Sequence, residues 1–170
     1  MKSIGYMMRV AIAALAVMAT DTVDAAQKAA TFLKSVEGFR ATAYQDPTGK
    51  RTIGYGFTSS HMVGKGTMGE AEASAELSRI CREISSMLRT ELKGQHLTPS
   101  QEAALISFIY NVGWANFRSS TLCRLLKSGK RGRVVADEFA RWVYVTKDGR
   151  KVISKGLVVR REKERRKFLA

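Results

Sequence analysis

Three residues in the first third of the chain carry groups that can move a proton and position a water molecule: Glu37, Asp46 and Thr52. Glu37 is expected in the last turn of a helix, where the carbonyl ends of the backbone disfavour a negative charge. A carboxylic acid that keeps its proton there is what a general acid requires. Asp46 begins a polar turn, where a carboxylate stays ionised. Two carboxyl groups in different environments are the equipment for hydrolysis of a glycosidic bond.

The elements around these residues are predicted from hydrophobic spacing and turn residues. Apolar residues at helical spacing predict a helix over residues ~26–37 that ends at Gly38. Residues 43–57 are typical of a hairpin, because Asp46, Pro47 and Gly49 suit a tight turn. Thr52 then lies on the returning strand, where we expect it to face Asp46 and to help place water. Each residue alone has an ordinary structural explanation, so the interpretation depends on their joint occurrence.

The rest of the chain is predicted to be helical. Possible capping boxes begin at Thr67 and Thr98, and Ser120 is expected to cap a shorter helix. Apolar residues between Val135 and Val143 indicate another helix, and a basic helix follows from Leu157 to Phe168. The predicted fold class is α+β, mainly helical, with one small β-element. We expect a small lobe over residues ~26–66 and a helical lobe over residues ~67–170.

The pattern Glu37-x8-Asp46-x5-Thr52 resembles the catalytic triad of the phage-type lysozymes, the endolysins of glycoside hydrolase family 24. The surrounding motifs are similar to that family as well, from residue 28 to residue 169: Glu37-Gly38-Phe39-Arg40, Ala43-Tyr44-Gln45-Asp46, Thr52-Ile53-Gly54-Tyr55-Gly56, Tyr110-Asn111-Val112-Gly113, Ser120-Thr121-Leu122 and Gly156-Leu157 with Arg160-Arg161. The family often has histidine after the strand, where this chain has Phe57.

The resemblance implies a two-lobed lysozyme fold and cleavage of the β-1,4 bond between N-acetylmuramic acid and N-acetylglucosamine in peptidoglycan, for bacterial lysis. It implies that Glu37 is the general acid, Asp46 the second carboxylate, and Thr52 a residue that helps place the attacking water. It also places Tyr110 where a helix lines the cleft. Tyr110 can stack on sugar there or be a core aromatic residue, and Tyr55 and Asn111 are further candidates for substrate binding. No metal or other cofactor is expected.

Two other functions fit parts of the sequence. A lytic transglycosylase acts on the same bond without a bound water molecule, so Asp46 and Thr52 argue against it. A non-catalytic cationic protein that permeabilises membranes fits the charge but has no use for the triad. The formal net charge is +14, from 29 Lys and Arg against 15 Asp and Glu.

The positive charge is concentrated near the end of the chain. Residues 114–170 contain 17 Lys and Arg and 5 Asp and Glu. No nucleic-acid reading motif accompanies them, so we expect no nucleic-acid partner. The basic C-terminal region, with Arg160, Arg161, Arg165 and Arg166 on a solvated face, is instead expected to contact an anionic wall polymer or outer-membrane lipid. The protein is expected to be a monomer.

The N-terminal residues resemble an export segment. Lys2 and Arg9 precede an unbroken apolar run from Val10 to Ala19, and small residues follow. The run is shorter than the ~20 residues that a spanning helix needs. Residues 1–25 are therefore predicted to be a signal peptide or a releasable membrane anchor, with an amphipathic helix as the remaining alternative. Residues 26–170 would then be one lysozyme domain in the periplasm or outside the cell, tethered transiently to the membrane if the anchor holds.

The two cysteines leave two alternatives open. Cys81 and Cys123 can form one disulfide in an oxidising compartment. Both also lie among apolar residues at helical spacing, which favours buried free thiols.

Overall fold

The computed structural model describes residues 24–46, 49–147 and 149–170, which form helices and two small antiparallel hairpins. The export segment predicted over residues 1–25 lies outside the described residues, except for Asp24 and Ala25, which belong to the first helix. In chain order the elements are α1 (24–37), β1 (Arg40–Gln45), β2 (Arg51–Gly54), α2 (Ser60–Gly64), α3 (Glu70–Glu91), α4 (Pro99–Val112), α5 (Trp114–Ser119), α6 (Thr121–Lys127), α7 (Arg133–Ala136), a 3-10 helix (Asp137–Arg141), β3 (Tyr144–Lys147), β4 (Arg150–Ile153) and α8 (Lys155–Leu169).

The first hairpin confirms the predicted β-element. Strands β1 and β2 pair in antiparallel register, with Tyr44 opposite Thr52 and Gln45 opposite Arg51. The turn between them is closed by backbone hydrogen bonds, in which Asp46 N donates to Lys50 O (2.9 Å) and Gly49 N donates to Asp46 O (2.9 Å). The remaining predicted turn residues, 47 and 48, lie outside the described residues. Strand β2 is the buried half of the hairpin, because its last three residues are all buried.

The predicted helix start at Thr67 is wrong. Helix α3 begins at Glu70 with Gly69 as its N-cap, and no side chain caps it. The residues before it are extended, because Met68 N donates to Ala41 O (2.8 Å) and Thr67 forms a bridge with Thr42. This pairing with β1 keeps residue 67 out of the helix. The capping box at Thr98, in contrast, is confirmed.

Helix α4 is the centre of the core. It is buried from Glu102 to Ile109, and α3, α5 and α8 pack against it. The ring of Phe108 meets two aromatic rings edge-on, with centroids 5.2 Å away at Phe139 and 5.4 Å away at Trp142. A helix that is buried on nearly every face is suited to carry side chains that join neighbouring elements.

The region between residues 133 and 153 differs from the prediction. The expected helix over residues 135–143 is divided into the short α7 and the 3-10 helix, which ends at Arg141. A second hairpin, β3–β4, follows it, and every residue in its two strands is exposed. Its strands were not predicted, because exposed strands lack the buried alternation that reveals a strand in sequence. Among the described residues, no helix is both long and apolar enough to cross a membrane.

Candidate active site

Glu37 is the last residue of α1 and lies against a cation from the far end of the chain. Its Oε1 atom is 2.5 Å from Nη1 of Arg160 on α8, and its side chain is 19% exposed. The sequence predicts backbone carbonyl groups near this carboxyl group but no cation beside it. The structure adds a guanidinium that orients one oxygen and leaves the other facing a different neighbour.

Arg160 is itself held by a buried polar network. Its Nε donates to Oε1 of Glu164 (3.1 Å), and its Nη2 donates to the carbonyl oxygen of Ser107 (3.2 Å). The Ser107 hydroxyl also donates to Oε1 of Glu164 (2.7 Å). Arg160 therefore connects Glu37 to α4 and to its own helix, and it cannot swing freely.

A second arginine balances this network. Arg161 Nε lies 3.2 Å from Oε2 of Glu164, which is fully buried, and the Arg161 guanidinium stacks over Phe108 at 5.0 Å from the ring centroid. Burial lowers the pKa of Arg161 to about 10, so it is still charged at neutral pH. Burial also raises the pKa of Glu164, against the pull of the two arginines. Two bases face two acids, which limits the net charge beside Glu37.

Four arginines of α8 were predicted to lie on a solvated face, and this prediction is wrong for Arg160 and Arg161. Arg160 is 9% exposed and Arg161 is 1% exposed. The spacing of Arg160, Arg161 and Glu164, three and four residues apart, indicates ion pairs along a helix. The spacing does not reveal that the pairs are buried, so it does not predict the contact between Arg160 and Glu37. Arg165 and Arg166 do lie near the surface and pair with Asp137 and Glu162.

Gly56 leaves room beside the second oxygen of Glu37. Its φ is +92°, a conformation that favours glycine. A Cβ atom at this position would lie 3.3 Å from Oε2 of Glu37 and 3.8 Å from the Tyr110 hydroxyl oxygen. The glycine thus lets the backbone approach the carboxyl group closely, without a side chain between them.

Tyr110 joins the two lobes at this point. Its hydroxyl donates to the backbone carbonyl of Tyr55 (2.8 Å), and burial raises the pKa of Tyr110, so the hydroxyl keeps its proton. Its ring is half-buried against the core. With Gly56, Thr58 and Trp114, among others, Tyr110 lines an open cavity of about 370 Å³. Its ring packs against the core and also borders the cavity, so its predicted contact with sugar stays a prediction.

Asp46 and Thr52 lie on the hairpin but are not cross-strand partners. The register places Tyr44 opposite Thr52, while Asp46 pairs with Lys50 across the turn, because the closing hydrogen bonds of the turn set the register there. Asp46 Oδ1 accepts a hydrogen bond from Lys50 N (2.9 Å) and is half-buried. The Thr52 hydroxyl donates to Lys50 O (3.1 Å) in a side chain that is 4% exposed. The expectation that the two face each other directly is corrected to a diagonal arrangement.

The two remaining substrate-binding candidates have different positions. Tyr55 is 2% exposed, and its hydroxyl donates to Oε1 of Glu70 (2.9 Å), so it is a core residue that steadies the start of α3. Asn111 is exposed, and its Oδ1 accepts from Arg161 Nη2 (2.6 Å). It lines a larger open groove of about 1190 Å³, which continues past Trp142 to the β3–β4 hairpin.

The cysteines adopt the second of their two alternatives. Cys81 and Cys123 are both buried free thiols. Burial raises the pKa of Cys81 to about 12 and also raises that of Cys123, so neither is a ready thiolate. They contribute apolar volume to the core.

Comparison with known proteins identifies the family. The family model described as phage lysozyme matches residues 34–164, which include Glu37 and both buried arginines. The chain belongs to the phage lysozyme family. Membership of this family gives it a lytic action on bacterial peptidoglycan, which is therefore its substrate.

Individual phage lysozymes and their relatives are similar over most of the chain. An endolysin from Acyrthosiphon pisum secondary endosymbiont phage 1 is 32% identical over 142 residues, which cover 84% of this chain and 95% of the relative. A SAR-endolysin from Bacteriophage PS119 is 35% identical over 134 residues, covering 76% and 74%. The solved muramidase domain of SpmX from Asticaccaulis excentricus is 31% identical, with a TM-score of 0.72 and coverage of 84% and 95%. The mainly helical α+β lysozyme fold is confirmed.

Proposed function

We propose that the protein hydrolyses the β-1,4 bond between N-acetylmuramic acid and N-acetylglucosamine, with Glu37 as the general acid. The observation that carries this assignment is the position of Glu37. One carboxyl oxygen contacts Arg160, and the other lies beside Gly56. Gly56 and Tyr110 both line the cavity of about 370 Å³. A general acid needs a carboxyl group in a fixed position, and the contacts of Glu37 with Arg160 and Gly56 support that role.

In this mechanism Glu37 donates its proton to the glycosidic oxygen as the bond breaks. Asp46, in the hydrogen-bonded turn of the first hairpin, supplies the second carboxylate that an oxocarbenium-like transition state requires. Thr52 accepts a hydrogen bond from the attacking water, because its own hydroxyl proton is directed to Lys50 O. Arg160 acts as a positioning residue, since it orients Glu37 and does not need to touch the substrate.

Exchange of Glu37 for glutamine tests the assignment. Glu37→Gln keeps the shape of the side chain but removes the transferable proton, so clearing of a peptidoglycan suspension should fall by about 10²–10⁴-fold. Glu83→Gln on the exposed face of α3 is the matched control and should retain full activity. Clearing by Glu37→Gln at the control rate would contradict the role of Glu37.

Analysis of the products separates the hydrolase from the alternatives. A hydrolase releases new reducing ends, whereas a lytic transglycosylase releases 1,6-anhydro sugars. A non-catalytic cationic protein would kill cells equally well as wild type and as Glu37→Gln, and its killing would fall steeply with salt. We expect reducing ends as the product of wild type.

We also propose that residues 26–170 are one exported lysozyme domain with two lobes, acting as a monomer. Action on the cell wall is consistent with export, and the apolar run before Ala19 supports an export segment. N-terminal sequencing of the exported protein tests this, since a start at Ala26 or Gln27 indicates cleavage. A start at Met1 would contradict cleavage and favour a releasable anchor or an N-terminal helix.

A further inference from the structure

We propose that the β3–β4 hairpin docks onto an anionic phospholipid bilayer. The first observation is the exposure of its apolar side chains. Of the nine large apolar side chains that are exposed in the described residues, four lie on the hairpin, Tyr144, Val145, Val152 and Ile153, and two follow it on α8, Val158 and Val159. Ile153 is 61% exposed and Val159 is 57% exposed. A cluster of this kind marks an interaction surface more often than scattered single residues do.

The second observation is unpaired positive charge on the same segment. Lys147 and Arg150 flank the turn, and Lys151 and Lys155 follow it. In the part of the chain that the structure describes, none of these four bases pairs with an acid, whereas Arg160, Arg161, Arg165 and Arg166 on α8 all do. Positive charge without an acidic partner among the described residues therefore lies on both strands of the hairpin, at Lys147, Arg150 and Lys151, and at Lys155 in the first turn of α8.

The combination favours a lipid surface over a wall polymer. The transfer of valine and isoleucine side chains from water to hydrocarbon is favourable. The same side chains cannot form hydrogen bonds with the hydroxyl groups of a glycan. Lysine and arginine beside them can meet lipid phosphates, and Tyr144 is of the type that is enriched at membrane interfaces. Apolar residues edged by bases are the composition of elements that lie in the interface of anionic membranes.

The isolation of the hairpin supports an external partner. Among the described residues, its two strands pair only with each other, and every residue in them is exposed, with Tyr144, Val145 and Lys151 also bordering the groove that Asn111 lines. A two-stranded hairpin in water is marginally stable by itself. A bilayer that covers one face would stabilise it, while the rest of the molecule stays outside the lipid.

Vesicle binding of the full chain tests the proposal. Wild type and a triple variant, Lys147→Gln with Arg150→Gln and Lys151→Gln, are sedimented with vesicles of phosphatidylcholine alone or mixed with phosphatidylglycerol. The matched control removes three exposed bases elsewhere: Arg82→Gln, Lys93→Gln and Lys130→Gln. The N-terminal apolar run is common to all variants, so only differences between them are interpreted.

We expect the hairpin triple to lose about tenfold or more of its binding to phosphatidylglycerol vesicles. The control triple should lose much less, because its bases lie outside the contact and salt screens them. Val152→Thr with Ile153→Thr should weaken the binding that persists in high salt, where the apolar contact dominates. Circular dichroism checks that each variant is folded, and single variants Arg150→Gln and Ile153→Thr replace any variant that is not.

Two results would overturn the proposal. Equal losses in the hairpin and control triples would mean that vesicles respond to net charge alone. Unchanged vesicle binding, together with lost binding to purified peptidoglycan, would make the hairpin a wall-polymer contact. Neither result depends on catalysis, so the experiment is independent of the role of Glu37.

Discussion

The two hairpins of this protein have the same topology but opposite environments. The β1–β2 hairpin buries Thr52, Ile53 and Gly54. Just after strand β2, the backbone at Gly56 lies close to the carboxyl group of Glu37. The β3–β4 hairpin buries nothing in its strands. The first hairpin is connected to the core through the buried residues of β2 and the close approach of Gly56 to Glu37. The second hairpin keeps every residue of its strands exposed.

Removal of the arginine that bridges to the first region should have the largest effect. Arg160→Met removes the guanidinium that pairs with Glu37 and one of the two arginines that face the buried Glu164, which should lower the free energy of unfolding by about 3–5 kcal/mol. Arg150→Met, on the exposed strand β4, should change it by no more than about 0.5 kcal/mol. Urea denaturation measures both, and Arg160→Lys should recover part of the loss. Similar values for the two methionine variants would break the comparison.

Truncation of one isoleucine in each hairpin gives the next largest difference. Ile53 on β2 is fully buried and Ile153 on β4 is 61% exposed. Ile53→Ala removes core contacts and should lower the free energy of unfolding by about 2–5 kcal/mol. Ile153→Ala should lie within about 0.5 kcal/mol of wild type. Thermal and urea unfolding test the pair, and a large loss in Ile153→Ala would show that the second hairpin is packed after all.

The two glycines separate strain from chemistry. Gly56 and Gly149 both have positive φ, +92° and +73°, so alanine at either position should cost about 1–2 kcal/mol of stability. Only at position 56 would the new methyl group press on Glu37, because no atom lies within 4 Å of a Cβ at position 149. We expect Gly56→Ala to lose about tenfold or more of its peptidoglycan clearing rate, and Gly149→Ala to lose none at temperatures where it is folded. Equal activity would remove Gly56 from the site.

Two tyrosine hydroxyls provide the smallest test. Tyr110→Phe leaves the Tyr55 carbonyl without its donor and should cost about 1 kcal/mol. Tyr144 is 54% exposed on β3, and Tyr144→Phe should be neutral within the error of urea denaturation. A neutral Tyr110→Phe would mean that the hydrogen bond between the lobes does not contribute to stability.

Much of the fold could be predicted from the sequence because its signals are local. The hydrophobic spacing before Gly38, the turn that starts at Asp46 and the capping box at Thr98 each depend on residues within one turn. The start of α3 could not be found in the same way, because the residues around Thr67 pair with β1. The strands of the second hairpin could not be predicted for another reason. Neither strand has a buried face, so apolar and polar residues do not alternate along them.

The residues of the candidate site could be predicted from the sequence, but the residues that they contact could not. Glu37 was found through its motif, yet its salt bridge to Arg160 joins residues 123 positions apart and leaves no local trace. Tyr55 is of a residue type that is suited to a substrate cleft, but it is buried and its hydroxyl donates a hydrogen bond to Glu70. Contacts between distant segments decide such roles, and one sequence does not record them.

The distance along the chain between Glu37 and Arg160 also determines how late during translation their salt bridge can form. At about 5–20 residues per second, a ribosome needs roughly 6–25 s to reach position 160 after it has translated position 37. During that interval the nascent chain carries the carboxyl group without the guanidinium that orients it. A messenger that is cut short before α8 therefore gives a product without this salt bridge, and the geometry around Glu37 is completed only after α8 has been synthesised.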